Sequence, residues 1–463
     1  MTQNRSGQRT ALLVVLLAFV PASCAPALTA VPRGYIDRLQ QSIATVWPQM
    51  DRIWPGADFS RLTLLLVDGS NAYEINASGA IRRDYAEVSA AVPLVRSEFG
   101  YAKTTWNGNP TLAIRVSGAE LSDISVSGTA VPALFAFATH EAFHYYVQTL
   151  PSWQGKGETN SIRATRYPIQ SEPRILRYML FRTLYDAYRD SRTGVELQIA
   201  AGLYVRWLRE FSEEAREAAA TDTAEGTAEY VTTVATARAA VGFSADEVTY
   251  RGAVLDVINQ NSVGSDDFTS VDREAYKLGI VAGLLADAQN ARWKQQVERG
   301  STPLATLLQG VQPIDHPIAL EGLDRLLATL QTRQRDVAQD MEPFLARFRD
   351  PNTVMLAVPF TALVGSFTTQ GFFQTTALPY KPIIVPFSGS FRVSSGFVEI
   401  NRVTVAVGVL PSCSGTMPHI IVPVASNALI YREAKLTVNG SGVVGTFEGQ
   451  LTSQDGRSVF CVK

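Results

Sequence analysis

Histidine is scarce in this chain, with four in 463 residues, and cysteine scarcer still, with three. Charge is thin at 18% and almost balanced, at a net −2. No basic block stands out, so nucleic acid is excluded as the main partner. The apolar run at the N-terminus, Ala11 to Val20, is too short to span a bilayer as a mature helix. Apolar residues, by contrast, make up 46% of the chain, enough for a sizeable core, and the length suits two or three domains.

The first 27 residues read as an export signal. Arg5 and Arg9 form a basic start, the run Ala11–Val20 follows, and Pro21-Ala22-Ser23-Cys24 then resembles a lipoprotein box whose cysteine becomes the lipidated first residue. Cleavage after Ala25-Pro26-Ala27 is the competing route. The expected location is therefore outside the cytoplasm, either membrane-attached through lipidated Cys24 or periplasmic or secreted. Cys413 and Cys461 remain, and an oxidising compartment lets them pair.

Three stretches of different character follow. Residues 28–130 look mixed. A helical spacing runs from Tyr35 to Trp54, and strands are expected at Arg61–Val67, Ala72–Ile75 and Pro110–Val116. Residues 131–349 read as helical, with candidates at Pro132–Thr149, Glu172–Asp190, Gly194–Phe211, Ala215–Val241, Arg273–Asn290 and Leu320–Ala338. Residues 350–463 are rich in Val, Thr, Ser and Gly in short alternating runs, an all-β module of sandwich or barrel type. The prolines at 359, 379, 382 and 386 suggest edges and turns there.

Two of the four histidines stand four residues apart, in His140-Glu141-Ala142-Phe143-His144, within a strong helical pattern. On a helix, residues i and i+4 project from one face, so both imidazoles meet at one point. Zn²⁺ accepts such nitrogens, and a catalytic site takes three protein ligands plus a water. Glu141 is placed to take a proton from that zinc-bound water and pass it to a leaving group. No third histidine follows at short spacing, so a carboxylate is expected. The best stretch is Glu225-Gly226-Thr227-Ala228-Glu229-Tyr230, where Glu225 and Glu229 share a face and the small residues let the helix approach the histidine helix. Glu172 is a rival carboxylate. Tyr276 is a candidate to stabilise an oxyanion, with His316 a weaker one.

The pair His-Glu-x-x-His and Glu-Gly-x-Ala-x-Tyr resembles the gluzincin branch of zinc peptidases, thermolysin-like in the broad sense. His140, Glu141, His144 and Gln148 also resemble the pattern His-Glu-x-x-His-x-x-x-Gln of a set of exported bacterial proteins. The resemblance covers roughly residues 60–310. It implies Glu225 as third zinc ligand and Glu229 as the acid that orients a ligand imidazole.

The expectation is an α+β, gluzincin-like catalytic domain followed by an all-β module. Its function would be that of an exported zinc metallopeptidase acting on peptide or protein. The strand at Thr111–Val116 is expected along the cleft, pairing with extended substrate. The β module is a candidate for binding a surface or partner. Two alternatives stand beside this reading: a catalytically silent zinc-binding lipoprotein acting in assembly, and a zinc hydrolase of a non-peptide substrate.

Overall fold

Along Thr63–Asp68 (β1) every residue is buried, so this strand must be covered on both faces. Leu64 and Leu66 enter the main core, while Leu65 and Val67 pack beneath Val88, Val92 and Trp106 on the opposite face. In this computed structural model the described residues are 31–69, 71–92, 100–116, 121–154, 163–260, 267–289, 292–315, 323–364, 367–414, 417–432, 435–440, 442–454 and 456–463. The first 30 residues, with the expected export signal and Cys24, and His316 lie outside them.

The N-terminal part begins with α1 (Arg33–Val46) and a 3-10 turn at Trp47–Arg52. After β1 come β2 (Asn71–Asn76), β3 (Gly79–Arg83), α2 (Tyr85–Ala91), β4 (Gly100–Trp106) and β5 (Asn109–Arg115). These strands form one sheet in the order β3-β2-β1-β5-β4, in which only β1 and β5 run parallel. The strand expected along the cleft is therefore interior, because β5 is paired on both sides, to β1 and to β4. The edge beside it is β4, which pairs only with β5 among the described residues. A hairpin, β6 (Asp123–Val126) and β7 (Thr129–Pro132), then leads into α3 (Ala133–Tyr146).

The helical part follows a two-residue strand, β8 (Thr165–Arg166). It contains α4 (Ser171–Asp190), α5 (Val195–Glu210), α6 (Ser212–Val241), α7 (Glu247–Gln260), α8 (Val271–Gln289), α9 (Trp293–Glu298), α10 (Pro303–Leu307) and α11 (Asp324–Arg349). Nearly every residue of α6 from Thr221 to Ala237 is buried, so this helix is surrounded rather than amphipathic. Its threonines meet the core by bonding backward along the helix: Thr223, Thr227 and Thr232 donate to the carbonyls of Ala219, Thr223 and Ala228.

Gly226 does clear space, but for α8 and not for the histidine helix α3. A Cβ at Gly226 would stand 3.0 Å from Ala275 O and from Gly279 Cα, and one at Gly279 would fall 2.1 Å from Gly226 Cα. Adjacent helical residues point about 100° apart. Glu225 therefore faces α3 while Gly226 faces α8. Four residues on, Gly283 admits the ring of Tyr230 in the same way.

The C-terminal strands are β9 (Thr353–Pro359), β10 (Thr368–Thr369), β11 (Phe372–Gln374), β12 (Ile383–Val393) and β13 (Gly396–Val409). The short α12 (Pro411–Ser414) precedes β14 (Pro418–Ala425), β15 (Leu429–Arg432), β16 (Lys435–Gly440), β17 (Val443–Gln454) and β18 (Arg457–Val462). The order β17-β18-β9-β14-β13 closes into a ring because β13 also pairs with β17. This ring encloses Leu356, Val358, Ile420, Val422, Val398 and Phe447. On the other face Met355, Ala357, Ile421 and Val459 pack against Val337, Met341, Phe344 and Phe348 of α11. Pro386 sits in β12 where the register shifts between Ile384 and Phe387, a place where the lost N–H is tolerated. Cys413 on α12 and Cys461 on β18 are joined by a disulfide.

The α6–α8 contact generates a paired prediction. Gly279→Ala forces backbone apart and should lower unfolding free energy by about 1–3 kcal/mol. Gly252→Ala is its control: that glycine lies on α7 with nothing within 4 Å of an added Cβ. It should be neutral or stabilising, by up to about 1 kcal/mol. Denaturant titrations of both variants give the comparison.

Candidate metal centre

α3 and α6 cross so that His140, His144 and Glu225 converge in the interior, all three buried. His140 Nε2 lies 3.0 Å from His144 Nε2 and 3.3 Å from Glu225 Oε2, and His144 Nε2 lies 3.4 Å from the same oxygen. Ligand atoms about 2.0–2.1 Å from a tetrahedral zinc lie roughly 3.3–3.4 Å from one another. The triangle therefore has the dimensions of one face of a zinc tetrahedron.

Hydrogen bonding fixes which imidazole nitrogens carry lone pairs. Gln148 Nε2 donates to Ala224 O at 2.7 Å, and a carbonyl can only accept, so the amide orientation is settled. Gln148 Oε1 then faces His144 Nδ1 at 2.8 Å and accepts from it. His140 Nδ1 faces Glu229 Oε2 at 3.3 Å and Thr232 Oγ1 at 3.4 Å. The Thr232 hydroxyl proton is directed to Ala228 O, so Nδ1–H of His140 donates to both. Both imidazoles thus turn Nε2 lone pairs toward Glu225 Oε2. Three acceptors meet at one buried point, and a proton or a cation must lie among them.

The electrostatics agree. Burial disfavours a charged His140, but its hydrogen bonds to Glu225 and Glu229, with their charges, outweigh it and push its pKa up to about 10. Burial likewise opposes the charge on Glu225, yet Arg163 and the two imidazoles hold its carboxyl well below the usual range. Arg163 Nη1 pairs with Glu225 Oε1 at 2.8 Å, Arg163 Nε pairs with Asp272 Oδ1 at 2.6 Å, and Nη2 donates to Tyr276 OH at 3.2 Å.

The other expected residues fall as follows. Tyr276 stacks on His140, ring centroids 5.7 Å apart and planes 11° from parallel. Glu141 is half-buried, on the α3 face it shares with Phe137 and Tyr145. Both rings touch Tyr101 of the edge strand β4, which places Glu141 beside that edge. Glu172 is exposed in the first turn of α4 and takes no part. His419 is buried in β14, paired opposite Pro359 and Gly408. Arg163, Asp272 and Thr232 escaped the sequence reading. Asp272 stands one helical turn before Tyr276, a signal within reach, whereas Arg163 lies in no helix or strand.

Comparison with protein-family models, curated proteins and solved structures finds no match to this chain. The gluzincin resemblance rests on the residues quoted above.

Two outcomes are expected. Zinc binding should displace the proton held among the three acceptors, so calorimetry near pH 8 in buffers of differing ionisation enthalpy should show about one proton released per zinc. Apparent affinity should rise about tenfold per pH unit between pH 7 and 9, because His140 must be neutral to ligate. Proton-independent binding would contradict this arrangement. Glu225→Ala should abolish zinc uptake, while Glu229→Ala should weaken it about 10–100-fold, as measured by chelator competition.

Proposed function

We propose that the chain is an exported zinc-dependent hydrolase of peptides. The observation that carries this reading is the buried triangle of lone pairs on His140, His144 and Glu225, with each imidazole oriented from its far nitrogen. A zinc ion held by these residues supplies a Lewis acid and brings the pKa of a water to near neutrality.

The chain's own groups would do the rest. Glu141 accepts the proton of the attacking water and delivers it to the departing amine. Tyr276, with its hydroxyl beside Arg163, faces the developing oxyanion. An extended peptide pairs along the outer edge of β4, next to the face of α3 that carries Glu141. That edge takes the place first expected of the Thr111–Val116 strand. Export is supported by the Cys413–Cys461 disulfide, which suits an oxidising compartment. Among the described residues no helix is long and apolar enough to cross a membrane.

The test is a peptide-library digest with metal analysis. Purified protein should hold one zinc per chain and cleave peptides, and a chelator should stop cleavage. Glu141→Gln should retain zinc and lose about 10²–10⁴-fold in turnover, since the amide cannot accept the proton. Undiminished cleavage by that variant removes Glu141 from its role. Wild-type protein that binds zinc and cleaves nothing points to the silent assembly protein instead.

A further inference from the structure

Arg163 is held where few arginines settle. Its φ is 52°, in the left-handed region that disfavours a residue bearing a Cβ. Its guanidinium is half of an ion pair with the outer oxygen of Glu225, and it also engages Asp272 and Tyr276. The remaining face of that group lies over the ring of Phe372, 5.0 Å from its centroid. Phe372 belongs to β11, in the C-terminal sheet.

The backbone around Arg163 is fastened to the same sheet. Two residues on, β8 pairs in parallel with β11, Thr165 opposite Phe373 and Arg166 opposite Gln374. Tyr167 N then donates to Gln374 O at 2.8 Å. The sheet also grips the ligand helix directly. Gln374 Nε2 and Lys381 Nζ reach the two oxygens of Glu217 at 2.6 and 2.9 Å. Glu217 lies on α6 eight residues before Glu225.

We propose that Arg163 is a positioning residue of the metal centre and that the C-terminal sheet completes that centre by holding Arg163. This inference rests on the zinc reading above. A carboxylate offers two oxygens, and a metal can take either one or both. With Oε1 paired to the guanidinium, Glu225 presents Oε2 alone, which keeps the three-ligand set and leaves a position open for water. The C-terminal strands are thus part of the site rather than an appended binding module.

The experiment uses the full chain in five forms: wild type, Arg163→Ala, Arg163→Lys, Phe372→Leu and Phe447→Leu. The last is a control, a buried phenylalanine elsewhere in the same C-terminal sheet, packed on Phe460. Each is measured for zinc affinity by chelator competition, for the visible absorption of the Co²⁺-substituted protein, and for thermal unfolding. Arg163→Ala should weaken zinc about 10–100-fold and alter the Co²⁺ spectrum as Glu225 becomes free to chelate with both oxygens. Arg163→Lys, which keeps charge without the planar fork, should recover part of the affinity and not the spectrum. Phe372→Leu should shift affinity and spectrum in the same direction, while Phe447→Leu lowers only the melting temperature. Arg163→Ala with wild-type affinity and spectrum overturns the role of Arg163. Phe372→Leu indistinguishable from Phe447→Leu overturns the role of the sheet. Wild-type protein that takes up no metal overturns the zinc reading itself, a result distinct from either.

Discussion

Three lone pairs aimed at one buried point are the constraint on which the rest of this structure depends. Acceptors 3.0–3.4 Å apart repel unless something positive lies among them. Holding them there needs rigid supports, and each has one. Gln148 fixes His144, and Glu229 with Thr232 fixes His140. Arg163 fixes Glu225. Gln148 follows just past the end of α3, four residues after His144, and Glu229 and Thr232 lie on α6, four and seven residues after Glu225. The third, Arg163, comes from a segment outside both helices.

Helix α6 shares a second buried charge cluster with α4 and α8. Arg174 and Arg177 of α4 reach Glu214 and Asp222 of α6 and Glu274 of α8. Burial raises the Glu274 carboxyl to about 8 even with both guanidiniums beside it. Such a cluster is weak evidence for net stability, since desolvation offsets attraction, but removing one member costs about 3–5 kcal/mol. Its effect is to lock α4, α6 and α8 in one relative position. Glu274 stands two residues from Tyr276, and Asp222 stands three from Glu225. The cluster therefore fixes the backbone that aims both site residues.

What could be read from sequence was what a single helix encodes. The span of α3, its histidine pair and the shared face of Glu225 and Glu229 follow from 3.6-residue periodicity, and α6 was placed to within a turn. Facts that depend on a neighbour were out of reach. Gly226 signals a close contact without saying with which helix. The run at Thr111–Val116 reads as a strand whether it is interior or edge, since its residues do not reveal how many neighbouring strands hydrogen-bond to it. The helix α11 continues past Ala338 to Arg349 with Pro343 inside it, although a proline there argues locally for a stop. Arg163 is the extreme case, because every reason for its position lies in residues more than fifty places away.

Helix α3 shows why a short motif suffices to organise so long a chain. Its residues at 140 and 144 face inward to α6, and those at 137, 141 and 145 face the sheet edge, about 100° round the helix. One helix therefore presents two environments, one enclosed and one bordering a sheet edge. The side that carries His140 and His144 is enclosed by α6, α8 and, through Arg163, the C-terminal strands. The side that carries Glu141 borders the edge of β4, where Tyr101 is half-buried and Lys103 exposed. Because adjacent residues on a helix necessarily diverge, the His140-Glu141 pair gains both environments from one peptide bond.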